Sequence, residues 1–123
     1  MGTNKKDIDL LKYRGNKSSV YTGRPQGNLA RTELKLNKLD SEEVIINFII
    51  PEGTSTITPS FFLGLLYDSI KKLGFEKYKN KYLFDIKETN PEIIKILESD
   101  IADAERNAIN TIKGKRGIDR IVS

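Results

Sequence analysis

Seven residues, Val44-Ile45-Ile46-Asn47-Phe48-Ile49-Ile50, are apolar at six positions, mostly β-branched, and closed by Pro51. Such a run is far short of the roughly 20 residues that a membrane-crossing helix needs. It is also too continuous for a strand with one wet face. It predicts a central strand covered on both sides, the usual situation in a parallel sheet. The remaining elements must supply that cover.

Two helical patterns flank the run. Leu29, Leu34, Leu36 and Leu39 mark a helix over Leu29–Leu39 with Asn28 as its cap. Gly23-Arg24-Pro25-Gln26-Gly27 before it is expected to be a loop. After the strand, Phe62, Leu66, Ile70 and Leu73 fall at helical spacing, reinforced by Leu63 and Leu65, and Gly74 ends the helix. Its start is open between Thr58 as cap with Pro59 at the first helical position, and Ser60 as cap. Gly64 inside it implies close packing, expected to be on the sheet.

Ile8 and Leu10 alternate with acids, which suits an edge strand, and Val20-Tyr21-Thr22 is a brief extended piece. Lys81–Ile86 alternates as a further strand. Asn90-Pro91-Glu92 starts a last helix, whose stripe Ile93, Leu97, Ile101, Ala104, Ala108 and Ile112 carries it to about Thr111. The order strand–helix–strand–helix–strand–helix calls for an α/β fold, a small mixed sheet packed with helices and at least two parallel neighbours. With 123 residues, 37% of them hydrophobic, there is core enough for one domain. That domain is expected over 1–112, followed by a basic flexible tail over 113–123.

The chemistry is narrowed by what is missing. Cysteine and histidine are both absent, which removes disulfides, thiolate nucleophiles, Ser-His-Asp triads and Cys/His zinc sites. No metal and no cofactor is expected. Asp100, Asp103 and Glu105 read as a solvated helix face, because an acid–base pair needs a cleft and divergent environments. No apolar leader follows Met1, so the expected location is the cytoplasm.

Charge is arranged in blocks around a net +4. Residues 1–35 carry eight Lys/Arg against three Asp/Glu, residues 36–70 one against five, and residues 71–90 six against three. An excess this scattered suits steering of an acidic partner more than a nucleic-acid groove. Arg24 and Arg31 flank the Gly-Pro-Gly segment at a helix start, a place suited to an acidic or phosphate group.

From Gly23 to Arg106 the chain resembles the STAS-like family of unknown function (DUF4325). Gly23–Arg31 resembles that family's glycine/arginine entry to its first helix. Val44–Phe48 resembles its central V-V-x-D-F strand, with Asn47 standing where the family has an acid. Ile57-Thr58-Pro59-Ser60-Phe61 resembles its I-S-x-S-F signature, and Asn90 with the Ile-rich helix resembles its C-terminal portion. A more distant similarity is to the STAS domains of anti-sigma-factor antagonists. There a strand-to-helix step holds a serine that a partner kinase of the histidine-kinase-like ATPase fold phosphorylates. The corresponding place here is Thr58-Pro59-Ser60-Phe61, without the acid and glycine of that step. The resemblance implies a non-enzymatic regulatory module, in a bacterial or phage setting. It would bind a protein partner, an ATPase or kinase-like regulator, through Thr58, Ser60 and Phe61. Two other functions are carried beside it: a nucleic-acid-associated accessory protein using the basic N-terminal block and tail, and an enzyme using carboxylates with Arg24 and Arg31.

Overall fold

The computed structural model describes residues 4–14 and 18–122, with side chains described as far as residue 114. In chain order the elements are β1 (Asn4–Asp9), α1 (Leu11–Arg14), β2 (Val20–Tyr21), α2 (Arg24–Glu33), α3 (Leu36–Leu39), β3 (Val44–Ile50), β4 (Thr56–Ile57), α4 (Pro59–Leu73), α5 (Phe75–Lys81), β5 (Tyr82–Ile86) and α6 (Pro91–Val122). The chain is α/β, as its element order predicts. Its sheet, expected to be mixed, is parallel at every pairing among the described residues.

Strands β1, β3 and β5 form one sheet in that spatial order, with Asp7, Asn47 and Leu83 in one cross-strand row and Ile8, Phe48 and Phe84 in the next. Spatial order therefore follows chain order, and both connections cross in the same direction. Right-handed crossovers then place both sets of helices on the same face. That face carries Ile46, Phe48 and Ile50, all fully buried, against Phe62, Leu65, Leu66 and Ile70 of α4. Phe48 stacks on Tyr82 of the neighbouring strand at 5.8 Å, and Phe62 of α4 ties the helix layer to Phe84 of the sheet at 6.1 Å.

The opposite face overturns the expectation of two-sided cover. Lys5, Asp7 and Asp9 are exposed there, Ile45 and Ile49 are half-buried, and Leu83 is 39% exposed. Among the described residues only Asn47 is well buried on this side, where its amide donates to Asp7 Oδ1 at 3.2 Å. The β-branched run suits the sheet, but its odd-numbered side chains do not meet a second helix layer.

Helix α2 begins at Arg24, inside the segment expected to be a loop. Gly23 takes φ 90°, Pro25 occupies the first turn where no amide bond is lost, and Asn28 lies within the helix. Gly27 is there because α4 leaves no room for a side chain. A Cβ on it would lie 2.2 Å from the Phe61 carbonyl oxygen, and one on Gly64 would lie 2.4 Å from that of Arg24. The closeness inferred for Gly64 is thus to α2, not to the sheet. The helix expected over Leu29–Leu39 breaks at Lys35, which takes a left-handed φ of 57° before α3. Thr58 caps α4 with Pro59 in its first turn, and Ser60 lies beyond the cap.

Helix α6 carries the expected stripe, with Leu97, Ile101, Ala104 and Ala108 buried and Ile93 and Ile112 packed at its ends. Its backbone continues past Thr111 to Val122. The side chains Lys115, Arg116 and Arg120 of the expected basic tail lie outside the described residues, as does Ser123, and Lys113 is exposed on the helix. Helix α5 was not expected: Tyr78 turns fully inward against Tyr82, so Lys77–Lys81 is helical before the strand begins.

Alanine at Gly64 forces two helix backbones apart. Gly64→Ala is expected to cost about 3 kcal/mol, at the upper end of ordinary overpacking, and Gly74→Ala to act only through its positive φ, since nothing lies within 4 Å of that position. Urea denaturation of the two variants separates these effects.

Candidate functional site

Strands β2 and β4 form a two-residue parallel ladder, Val20 beside Thr56 and Tyr21 beside Ile57. Each leads at once into a helix, β2 into α2 and β4 into α4. The Gly27–Gly64 contact holds those helix starts against each other. The two corners are joined by backbone bonds from Thr58 N–H to the Tyr21 carbonyl at 2.9 Å and from Ser55 N–H to the Ser19 carbonyl at 2.7 Å. From the far side α6 fastens them: Asp100 Oδ2 accepts from Ile57 N–H at 3.0 Å and from the Thr56 hydroxyl at 2.5 Å.

The five residues singled out from sequence divide between surface and interior. Thr58 Oγ1 accepts from Phe61 N–H at 3.3 Å, an ordinary N-cap, and lies 3.1 Å from Ser60 Oγ. Ser60 is exposed on the first turn of α4. Phe61 is not a contact residue: it is 2% exposed, its ring 5.0 Å from that of Tyr21. Arg24 is exposed, with its guanidinium 5.6 Å from the centre of the Tyr67 ring. Helix α2 has no side-chain cap at Gly23, so Arg24 and Ser60 mark neighbouring helix starts.

Arg31 is buried and fully engaged, which removes it from any anion site. Its guanidinium donates to Asn37 Oδ1 at 2.7 and 3.1 Å, to Asp40 Oδ2 at 2.9 Å, to the Leu65 carbonyl at 3.0 Å and to Ser69 Oγ at 2.7 Å. Those bonds use the whole donor set of the group. Asp40 in turn accepts from the hydroxyls of Ser69 and Tyr82. The cluster joins α2, α4 and β5 through one buried carboxylate. Nothing in sequence spacing linked Arg31, Asp40, Ser69 and Tyr82, which lie up to 51 positions apart.

The acidic residues of α6 are likewise corrected. Asp100 bonds β4, and buried Glu105 accepts from the Tyr78 hydroxyl at 2.8 Å and lies 3.5 Å from Lys79 Nζ. Of the three acids expected to be solvated, Asp103 alone stays on an exposed face, paired with Arg106. Among the described residues no three carboxylates gather as metal ligands. No helix among them is long and apolar enough to cross a membrane.

No protein-family model, no curated protein and no solved structure matches this chain.

Burial, with the Glu33 carboxylate accepting from its hydroxyl, pushes Tyr13 from the ordinary 10.0 up to about 12. Burial raises Tyr21, Tyr78 and Tyr82 as well, with Glu105 and Asp40 adding to the last two. The folded chain therefore holds phenol protons that the unfolded chain releases above pH 10. Stability is full below that point and falls as pH rises from 10 toward 12. Absorbance at 295 nm is expected to rise in step with unfolding followed by circular dichroism, rather than as an independent titration centred near 10.

Removing one partner of a buried ion pair strands the other. Arg31→Ala is expected to cost about 3–5 kcal/mol, and Arg24→Ala, a surface cation over an aromatic ring, about 0.5–1 kcal/mol. Equilibrium denaturation of both variants measures the difference.

Proposed function

We propose that this chain is a non-enzymatic, cytoplasmic regulatory module that docks a protein partner on the paired strand–helix corners around Thr58 and Ser60. The partner class is the one the STAS-like resemblance implies, an ATPase or kinase-like regulator. One observation carries the proposal: the Ser60 hydroxyl is exposed on the first turn of a 15-residue helix, while Phe61 beside it is locked into the core. A surface group on a rigid base is presented in one geometry, which lowers the ordering cost of binding.

The same position suits control by charge. A phosphate on Ser60 meets the amide end of α4, where the helix dipole favours an anion, and the neighbouring α2 start contributes exposed Arg24. Within the free protein the group is tolerated. At a docked interface it adds roughly −1.5 to −2 charge and several strong acceptors, which opposes a partner fitted to the neutral hydroxyl. Thr58 is a poorer acceptor of such a group because its oxygen is already bonded to the Phe61 amide.

Quantitative affinity capture from the native host with wild type, Ser60→Ala and Ser60→Glu tests this. An ATPase-like protein is expected with the first two and reduced about tenfold with Ser60→Glu. Equal recovery with all three would place docking elsewhere and overturn the proposal.

A further inference from the structure

The three-stranded sheet has two outer edges, and they are built differently. Along β1 the amide of Leu10 donates to the Ile49 carbonyl, so by alternation the backbone of Lys5, Asp7 and Asp9 turns outward. Every residue of β1 except Ile8 is exposed, and four of the six are charged: Lys5, Lys6, Asp7 and Asp9. Charged side chains along an edge are a usual guard against pairing with another chain.

The β5 edge has no such guard. The Lys87 amide donates to the Ile50 carbonyl, so Leu83 and Asp85 turn their backbone groups to β3, and Tyr82, Phe84 and Ile86 turn theirs outward. The Tyr82 amide is used by the Tyr78 carbonyl. The N–H and C=O of Phe84 and Ile86 have no partner among the described residues. Beside them runs a groove of about 630 Å³ whose other wall is one face of α6, formed by Glu98, Ile101, Ala102 and Glu105. Leu83 is 39% exposed at the rim, and the charged lining is acidic on balance, with Asp85, Glu98 and Glu105 against Lys5 and Lys79.

The geometry points to a strand-addition site: an extended segment of a partner protein pairs with the outer edge of β5 and carries a Lys or Arg toward α6. The backbone pattern defines the first part, because alternating donor and acceptor groups at strand spacing are met only by another extended chain. Charge defines the second. Asp85 is held by Lys87 and Glu105 by Tyr78 and Lys79, but Glu98 is exposed and forms no ion pair among the described residues. A long basic side chain lays its methylenes over Ile101 and Ala102 and brings its charge to Glu98. No residue of the Thr58–Ser60 corner lines the groove, so the two readings are tested independently.

The probe is the peptide acetyl-Val-Lys-Val-Lys-Val-amide, titrated into the full chain and followed by backbone amide NMR shifts. Saturable shifts are expected at Phe84 and Ile86, with those of Asp7 to Asp9 unmoved. The same peptide N-methylated at alternate amides on the edge-facing side is expected not to bind. Glu98→Gln is expected to weaken binding about threefold, the worth of one exposed ion pair. Ile86→Pro removes an outward amide without touching the β3 ladder and is expected to abolish the shift at Phe84; its folding is checked by circular dichroism. If Ile86→Pro does not fold, the N-methylated peptide still decides. Absence of saturable shifts at millimolar peptide would overturn the inference, as would equal binding of the N-methylated peptide. Sedimentation showing that β5 already pairs two copies of the chain would overturn it too.

Discussion

Three parallel strands whose spatial order repeats their order in the chain leave little freedom for the rest of the molecule. Each connection must cross in the same sense, so helices accumulate on one side and α2 and α4 become parallel neighbours. Their contact is closer than side chains allow, and glycine at 27 and 64 is the local answer. From that contact follows the pairing of the two strand–helix corners. The uncovered side is the other consequence: a parallel sheet ordinarily has both faces covered, and here Asp7, Asn47 and Asp9 take over part of a surface that a second helix layer would otherwise occupy.

Polar residues on this scaffold divide sharply between internal ties and exposed presentation. Arg31, Asp40, Ser69 and Tyr82 satisfy one another in a region from which water is excluded, so none of them has capacity left for a ligand. Such a cluster fixes the relative placement of α2, α4 and β5 at the cost of desolvating two charges. Arg24 and Ser60 have the opposite character, on helix starts held rigid from beneath by Phe61 and Tyr21.

Much of the architecture was legible in the residues because it rests on local periodicity. The α4 pattern ending at Gly74 and the α6 stripe from Ile93 to Ile112 pack as their spacing predicts, and the β3 run is the central strand it reads as, though covered on one face. Failures arose where a distant partner overrode a local signal. Gly23–Gly27 carries every mark of a loop, yet it opens a helix because α4 presses on it. Arg31 looks like a surface cation until Asp40 and Ser69 are brought beside it. Phe61 reads as part of a recognition motif, but its ring is claimed by Tyr21, 40 positions earlier. In Asp100 the signal was present and ambiguous: an acid on the margin of an apolar stripe suits solvent or a tether equally, and only β4 decides.

The bond from Asp100 to Thr56 and Ile57 couples the order of synthesis to the order of assembly. A nascent chain that has exposed β2, β4 and α4 to solvent still lacks the carboxylate that satisfies the Ile57 amide. The 27 residues from Gly74 to Asp100 must still leave the ribosome before it arrives. Until then the ladder of two short strands rests on few backbone bonds and stays open to a chaperone or protease.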